Sequence, residues 1–407
     1  METKNSSFRW VVLVFLFLQI GVSVMALYCI PPLFSAIGNE IPLTKAQMGT
    51  IMGVVTLAAL FFAPLGGALS DKVGGRWAIG IAALVVAVSG AFRTFSGNAS
   101  ELIVWMFLLG AGFNLFYPSV PKVLGTWFPP HELARASGLC FASIGIGSAV
   151  ALATAVNFMS PTFGGWRGTV IALGVIALAL GILWVLVYRD RKTDQITGKK
   201  QQNFLMNFKK VIKVRNIKII FVFYSFCGLG WVAILGLLPV ILEERGVPKP
   251  GEYVSLMMIS TVVFNVLGGM ASDKLGKRKP FLMIGAIVQG ICIPAFLLFT
   301  GIPLAVTLVL YGAALGSIMP IMMIIPVEID SIGPALAGTA AGAIVMVGNT
   351  SGSVGSIVTG KLMDLTESPW PAFVILSAAC IVSAMVILLL HETGKKKLRR
   401  SEEEKNL

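Results

Sequence analysis

Lys122 stands apart in this 407-residue chain as a charged side chain set well inside a long apolar run, with no Asp, Glu, Arg or other Lys at comparable depth. An ionisable group surrounded by hydrocarbon marks a functional site by default, and an ammonium there suits a small anion. A second use stays open. Lys122 lies about 9 Å along a helix from the end of its run at Phe128, at roughly 1.5 Å per residue, so its stem can also snorkel to the membrane interface.

Asn114, Tyr117 and Pro121 share a stripe of the same run, with Lys122 displaced from Asn114 by about 80° on a helical wheel. On the eleventh apolar run, Gly338, Gly342, Asn349, Ser353 and Ser356 fall within about 60° of one another. Gln19 and Ser23 in the first run, Tyr224 and Trp231 in the seventh and Tyr311 in the tenth are further candidates. Polar groups in hydrocarbon cost free energy unless they meet a partner or a wet cavity, so their spread over several runs points to one central cavity.

Covalent chemistry has little to stand on. The chain lacks GxxxxGK[ST], HExxH and any Ser-His-Asp grouping that one pocket could hold, so it reads as neither an enzyme nor an ATP-driven pump. Cys29, Cys140, Cys227, Cys292 and Cys380 are scattered through apolar runs without CxxC spacing, and His131 and His391 fall at helix ends. No metal site, cofactor or disulfide framework is expected.

The elements that must position these groups follow from composition. Hydrophobic residues make up 56% of the chain and charged residues 13%, too apolar for a water-soluble core. The apolar residues form about twelve runs long enough to cross a hydrocarbon layer as helices. They are 9–32, 46–70, 76–95, 102–127, 133–158, 167–188, 217–242, 252–271, 280–300, 303–326, 335–361 and 370–391. The one long polar stretch between runs separates residues 1–190 from 217–391, leaving 191–216 as a linker and 392–407 as a tail.

Orientation follows from Lys and Arg in short loops, which stay on the cytoplasmic side. Placing both termini inside leaves Lys45, Arg93, Arg167, Arg245, Lys249 and Lys361 outside and Lys122 within a run, with the remaining 25 of 32 basic residues cytoplasmic. The net charge of +13 is thereby explained by topology and an anionic inner leaflet, with no nucleic-acid partner. The expected location is the cell (inner or plasma) membrane.

GGALSDKVGGR at Gly66–Arg76 returns as GGMASDKLGKR at Gly268–Arg278, 202 positions later, so the chain holds two copies of one unit. Asp71 and Asp273 sit near helix C-termini, where the helix dipole disfavours an anion, and Lys72, Arg76, Lys274, Lys277 and Arg278 offer compensating cations. A second pairing joins WFPPHELARASG, with Arg135, to IPVEIDSIGPALAGTA, with Glu328. The helices that follow are rich in glycine and serine, suited to close packing or to a moving interface.

The repeated turn resembles the signature loop of the major facilitator superfamily. Gly67, Asp71, Lys72, Gly74 and Arg76 match it, with Gly75 where a basic residue is usual. Gly269, Asp273, Lys274, Gly276, Lys277 and Arg278 match throughout. The resemblance implies an all-α polytopic membrane protein, twelve transmembrane helices in two pseudo-symmetric six-helix bundles. It also implies a cytoplasmic latch, to which Arg135 and Glu328 are assigned. The run from Gly110 to Pro118 resembles the fourth span of the organic-anion and cyanate- or nitrate-type porters. Thr56 and Asn265 replace the arginines of nitrate porters, and Met106 replaces that of drug antiporters.

The expected function is secondary transport of a small organic or inorganic anion by alternating access, the substrate sitting near the midplane between the halves. A coupling ion, either a proton or a counter-anion, is a possible second partner, and the protein is expected to be a monomer in the lipid bilayer. Transport of a neutral or amphipathic solute, including drug-like efflux, is the alternative, held by Tyr117, Tyr224, Trp231, Asn114 and Asn349. A transporter-like receptor that signals without flux is the reading from another class.

Overall fold

The computed structural model describes residues 7–189, 204–329 and 332–394. Residues 191–203 of the linker expected at 191–216, and the tail beyond Gly394, lie outside the described residues. Helix dominates what is described, with no strand among the described residues. The helices are α1 (Phe8–Tyr28), α2 (Ile30–Gly38), α3 (Lys45–Arg93), α4 (Ala99–Phe116), α5 (Ser119–Trp127), α6 (Pro130–Thr154), α7 (Ser160–Phe163) and α8 (Gly165–Val187). They continue as α9 (Phe204–Lys213), α10 (Arg215–Glu244), α11 (Pro250–Leu275), α12 (Lys279–Leu298), α13 (Gly301–Glu328), α14 (Gly333–Thr366) and α15 (Trp370–Val386).

Among the described residues, 11 helical stretches are long and apolar enough to cross a membrane. One of them, α3, breaks at Gly74 (φ 79°, ψ 169°) into segments 45–73 and 75–93, so it supplies two crossings. Proline interrupts other crossings: Pro31 and Pro32 begin α2 after α1 ends, and Pro118 separates α4 from α5. Each missing N–H removes an intrahelical hydrogen bond, which is why these spans are jointed. Large apolar side chains such as Phe61, Leu84, Ile302 and Met385 are exposed along the helices, as lipid-facing surfaces require.

The chain divides into two compact units, one made of Met1–Gly198 with Ile234–Ser255 and the other of Lys199–Ala233 with Leu256–Leu407. In the first, α3 packs on α4 and α8, and α1 on α6 and α8. In the second, α12 packs on α13 and α15, and α14 on α13, α15 and α9. The hairpin 234–255 groups with the first unit, although the sequence halves divide near the linker. Apolar packing, with Gly236 against Met52, is joined there by polar ties: Ser35 Oγ donates to Glu243, Lys45 pairs with Glu244, and Asn157 Nδ2 donates to Glu252 Oε1 at 3.0 Å.

The duplication is written in the packing as well as in the motif. A Cβ on Gly66 would come within 3.0 Å of the Leu115 backbone, and one on Gly268 would do the same at Ser317. Gly110 closes on Val55 as Gly312 closes on Met257. Every member of these pairs keeps the 202-residue offset of the motif, so both units use glycine at the same two crossings to bring helix backbones together. The motif glycines Gly74 and Gly276 both have positive φ, 79° and 60°, which explains why the repeated turn keeps glycine there.

Gly74 occupies a backbone region that is essentially glycine-only. Gly74→Ala is therefore expected to cost roughly 1–3 kcal/mol, read as a lower thermal midpoint of the detergent-purified protein. An unchanged midpoint would contradict the assigned backbone strain.

Candidate functional site

The two copies of the charged turn are built differently. In the second unit Arg278 is 2% exposed, and its Nη2 meets Asp273 Oδ1 and Glu328 Oε1, each at 2.7 Å. Its Nε also donates to both Glu328 oxygens, and Nη1 donates to Ser272 Oγ at 2.9 Å, so the guanidinium is held on every side. Burial, the largest single influence, opposes its charge. The hydrogen bonds that Glu328 and Asp273 accept from it, and their negative fields, outweigh this, leaving the Arg278 pKa above that of an ordinary arginine.

The start of the tail completes this network. Thr393 Oγ1 donates to Glu328 Oε2 at 2.9 Å, and Glu392 Oε1 accepts from the Arg278 backbone N–H at 2.6 Å. Glu392 thus meets an otherwise unpaired N–H group at the start of α12, where the helix dipole favours a carboxylate. Gly394 lies directly against the Gly276 carbonyl. The sequence reading missed these residues, because a short polar stretch beyond an apolar run carries no sign that it folds back.

In the first unit Asp71 is 64% exposed and pairs with Lys122, 35% exposed, at 2.9 Å. Lys122 Nζ also donates to the Ser70 carbonyl at 2.8 Å. Arg76, which the sequence set beside Asp71, donates from Nε to the Val185 carbonyl at 2.6 Å, and Trp184 Nε1 donates to the Arg76 carbonyl at 3.2 Å. Ser70 Oγ is buried without a hydrogen-bond partner, whereas its counterpart Ser272 is bonded within the network. Lys72, Lys274 and Arg135 are exposed.

The polar groups expected to line a cavity fall into distinct environments. In the first unit, Asn114 Nδ2 donates to its own helix at Gly110 O, and Tyr117, 36% exposed, lies between Phe113 and Phe141. Gln19 is buried with Oε1 unpartnered. In the second unit, Tyr224 packs on Gly348 and Trp231 on Gly352, so α10 and α14 meet through glycines. Asn349 is half-buried on that helix, and Ser353 Oγ donates to its carbonyl at 3.1 Å. Tyr311 is fully buried edge-on against Phe296, inside the packed core of its unit.

Arg93, expected on the outer side at the end of the run 76–95, is not a free interfacial charge. It is fully buried at the end of α3, donating from Nη1 to the Ala26 carbonyl at 2.8 Å and from Nε to Ser89 O at 3.2 Å, with Nη2 unpartnered. Ala26 lies just before the joint between α1 and α2, so Arg93 braces that break. A backbone carbonyl partner leaves no trace in residue types, so the sequence did not show this bracing.

Duplicated bundles of membrane-length helices, packed through glycines in one register and carrying a charged turn in each copy, define a polytopic membrane transporter. The chain belongs to the Major Facilitator Superfamily, whose model matches residues 16–262 and 250–407. This is a family of transporters and not of enzymes. A probable sulfoacetate transporter of Cupriavidus necator is 24% identical over 381 residues, covering 87% of each chain. The hexuronate transporter of Bacillus subtilis is 22% identical over 376 residues, covering 86% of this chain and 87% of its own. The crystal structure of the nucleoside transporter NupG matches with a TM-score of 0.78 at 15% identity, over 95% of this chain and 99% of that one.

The two charged turns should differ in what their loss costs. Glu328→Gln removes the bidentate partner of a buried guanidinium and is expected to cost on the order of 3 kcal/mol. Asp71→Asn breaks an exposed pair and is expected to stay within about 1 kcal/mol. Thermal unfolding of both variants checks the ordering, and equal losses would contradict it.

Proposed function

We propose that this chain is a secondary transporter of small organic anions working by alternating access, with the sequence halves 1–190 and 217–391 as the moving bodies. The observation that carries the substrate class is the likeness, over most of both chains, to relatives named for sulfoacetate and for hexuronates. Lys122 supports it as a half-exposed cation on α5, just past the joint that carries Tyr117 and Pro118. Asn114, Tyr117 and Gln19 from the first half, with Tyr224, Trp231 and Asn349 from the second, are the proposed polar and aromatic lining.

No carboxylate is buried among the described residues, so a coupling proton would ride on a rim acid or on the substrate, and a counter-anion is the other coupling partner. The polar ties of hairpin 234–255 to Ser35, Lys45 and Asn157 are contacts that alternating access would have to break and remake. We place both termini in the cytoplasm of a monomer in the cell membrane, from the distribution of Lys and Arg. The hold of Asp71 on Lys122 favours one second reading, a neutral solute held by the aromatic and amide groups alone.

Flux into proteoliposomes separates the two. Saturable uptake of labelled glucuronate or sulfoacetate, inhibited by other small carboxylates or sulfonates and not by uncharged sugars or nucleosides, is the expected result. Uptake of an uncharged solute that no anion displaces would overturn the anion reading.

A further inference from the structure

The two charged turns have diverged in a way that assigns Lys122 a double role. At the 202-residue offset, the position matching Glu328 is Thr126, and the position matching Lys122 is Ile324. The second turn therefore has an acid, 13% exposed, that closes around its own loop arginine, and no lysine on the preceding helix. The first turn lacks that acid, and its aspartate is met by a lysine from α5.

Three observations mark this pair as the exchangeable one. Both side chains are substantially exposed, 64% for Asp71 and 35% for Lys122, against 2% and 13% for Arg278 and Glu328. An exposed pair is held weakly, and a buried bidentate one firmly. The Ser70 hydroxyl beside the pair is buried and unsatisfied, where Ser272 is bonded within a closed network. Finally, Lys122 follows the α4–α5 joint that carries Tyr117, so its flexible four-carbon stem starts close to the proposed lining.

We propose that the acid group of the transported anion competes with Asp71 for the Lys122 ammonium, so that filling the site and releasing the first charged turn are one event. The second turn, closed on itself and braced by Glu392 and Thr393, takes no part in the exchange. This rests on the anion reading of the proposed function. The exchange makes Lys122 a binding residue and Asp71 a positioning residue that restrains it.

The test is a binding cycle on the purified full chain, with glucuronate and sulfoacetate as probes. Asp71→Asn frees the ammonium and is expected to tighten anion binding about two- to fivefold, the strength of an exposed pair. Lys122→Gln is expected to weaken it about tenfold or more, and Lys122→Arg to restore part of the loss, since a buried or half-buried cation on the anion is worth more than an exposed pair. In the Lys122→Gln background the gain from Asp71→Asn should vanish. An equal gain in both backgrounds would show a general field effect and overturn the exchange. So would wild-type affinity in Lys122→Gln, or no tightening in Asp71→Asn. If the wild type binds neither probe but binds uncharged solutes, the anion reading itself falls and takes the exchange with it.

Discussion

A charge cannot be left alone in hydrocarbon, and most of the polar architecture of this chain follows from that constraint. With no water along the helix faces, every ionised or hydrogen-bonding group must reach an interface, a partner or a cavity. Arg93 meets it with backbone carbonyls at Ala26 and Ser89. Arg278 meets it with two carboxylates and a serine. Lys122 meets it by reaching from α5 to Asp71 and the Ser70 carbonyl at the end of the first segment of α3. The same constraint explains the jointed helices, because each proline break exposes backbone groups that a neighbour must satisfy. The bracing of the α1–α2 joint by Arg93 is the clearest instance.

Duplication gave the two units a shared scaffold, and divergence gave them different charged turns. The scaffold is kept where geometry is least forgiving, at the glycine crossings of Gly66 and Gly110 and their counterparts Gly268 and Gly312, and at the positive-φ glycines of the turn. The charges around that scaffold were freer to change. In one copy they became a buried network tied to the start of the tail. In the other they became an exposed pair within reach of a helix that the sequence already marked for chemistry.

Much of this was legible in the sequence. Hydrocarbon-length runs are a matter of composition, so the helical, membrane-spanning fold could be read directly, and the repeated GGxxSDKxGxR placed one charged turn in each half. The partners of the charges were less legible. Asp71 and Lys122 are 51 positions apart, and their meeting depends on how α3 packs against α4 and α5. Local spacing suggested Arg76 for Asp71, but that side chain also lies within reach of α8 and bonds there. Glu392 and Thr393 looked like solvated tail, and nothing in the sequence marked the ties of the hairpin 234–255 to Ser35, Lys45 and Asn157. In each case the deciding contact is tertiary, and residue type and periodicity carry no trace of it.

In the proposed exchange the first charged turn switches and the second does not. Hydrogen exchange of the full chain, with and without saturating glucuronate or sulfoacetate, tests it most directly, because amide protection reports local opening segment by segment. Faster exchange is expected on anion addition in peptides spanning Ser70–Arg76, with peptides spanning Ser272–Lys279 unchanged. Equal changes in both turns, or a change confined to the second, would contradict it.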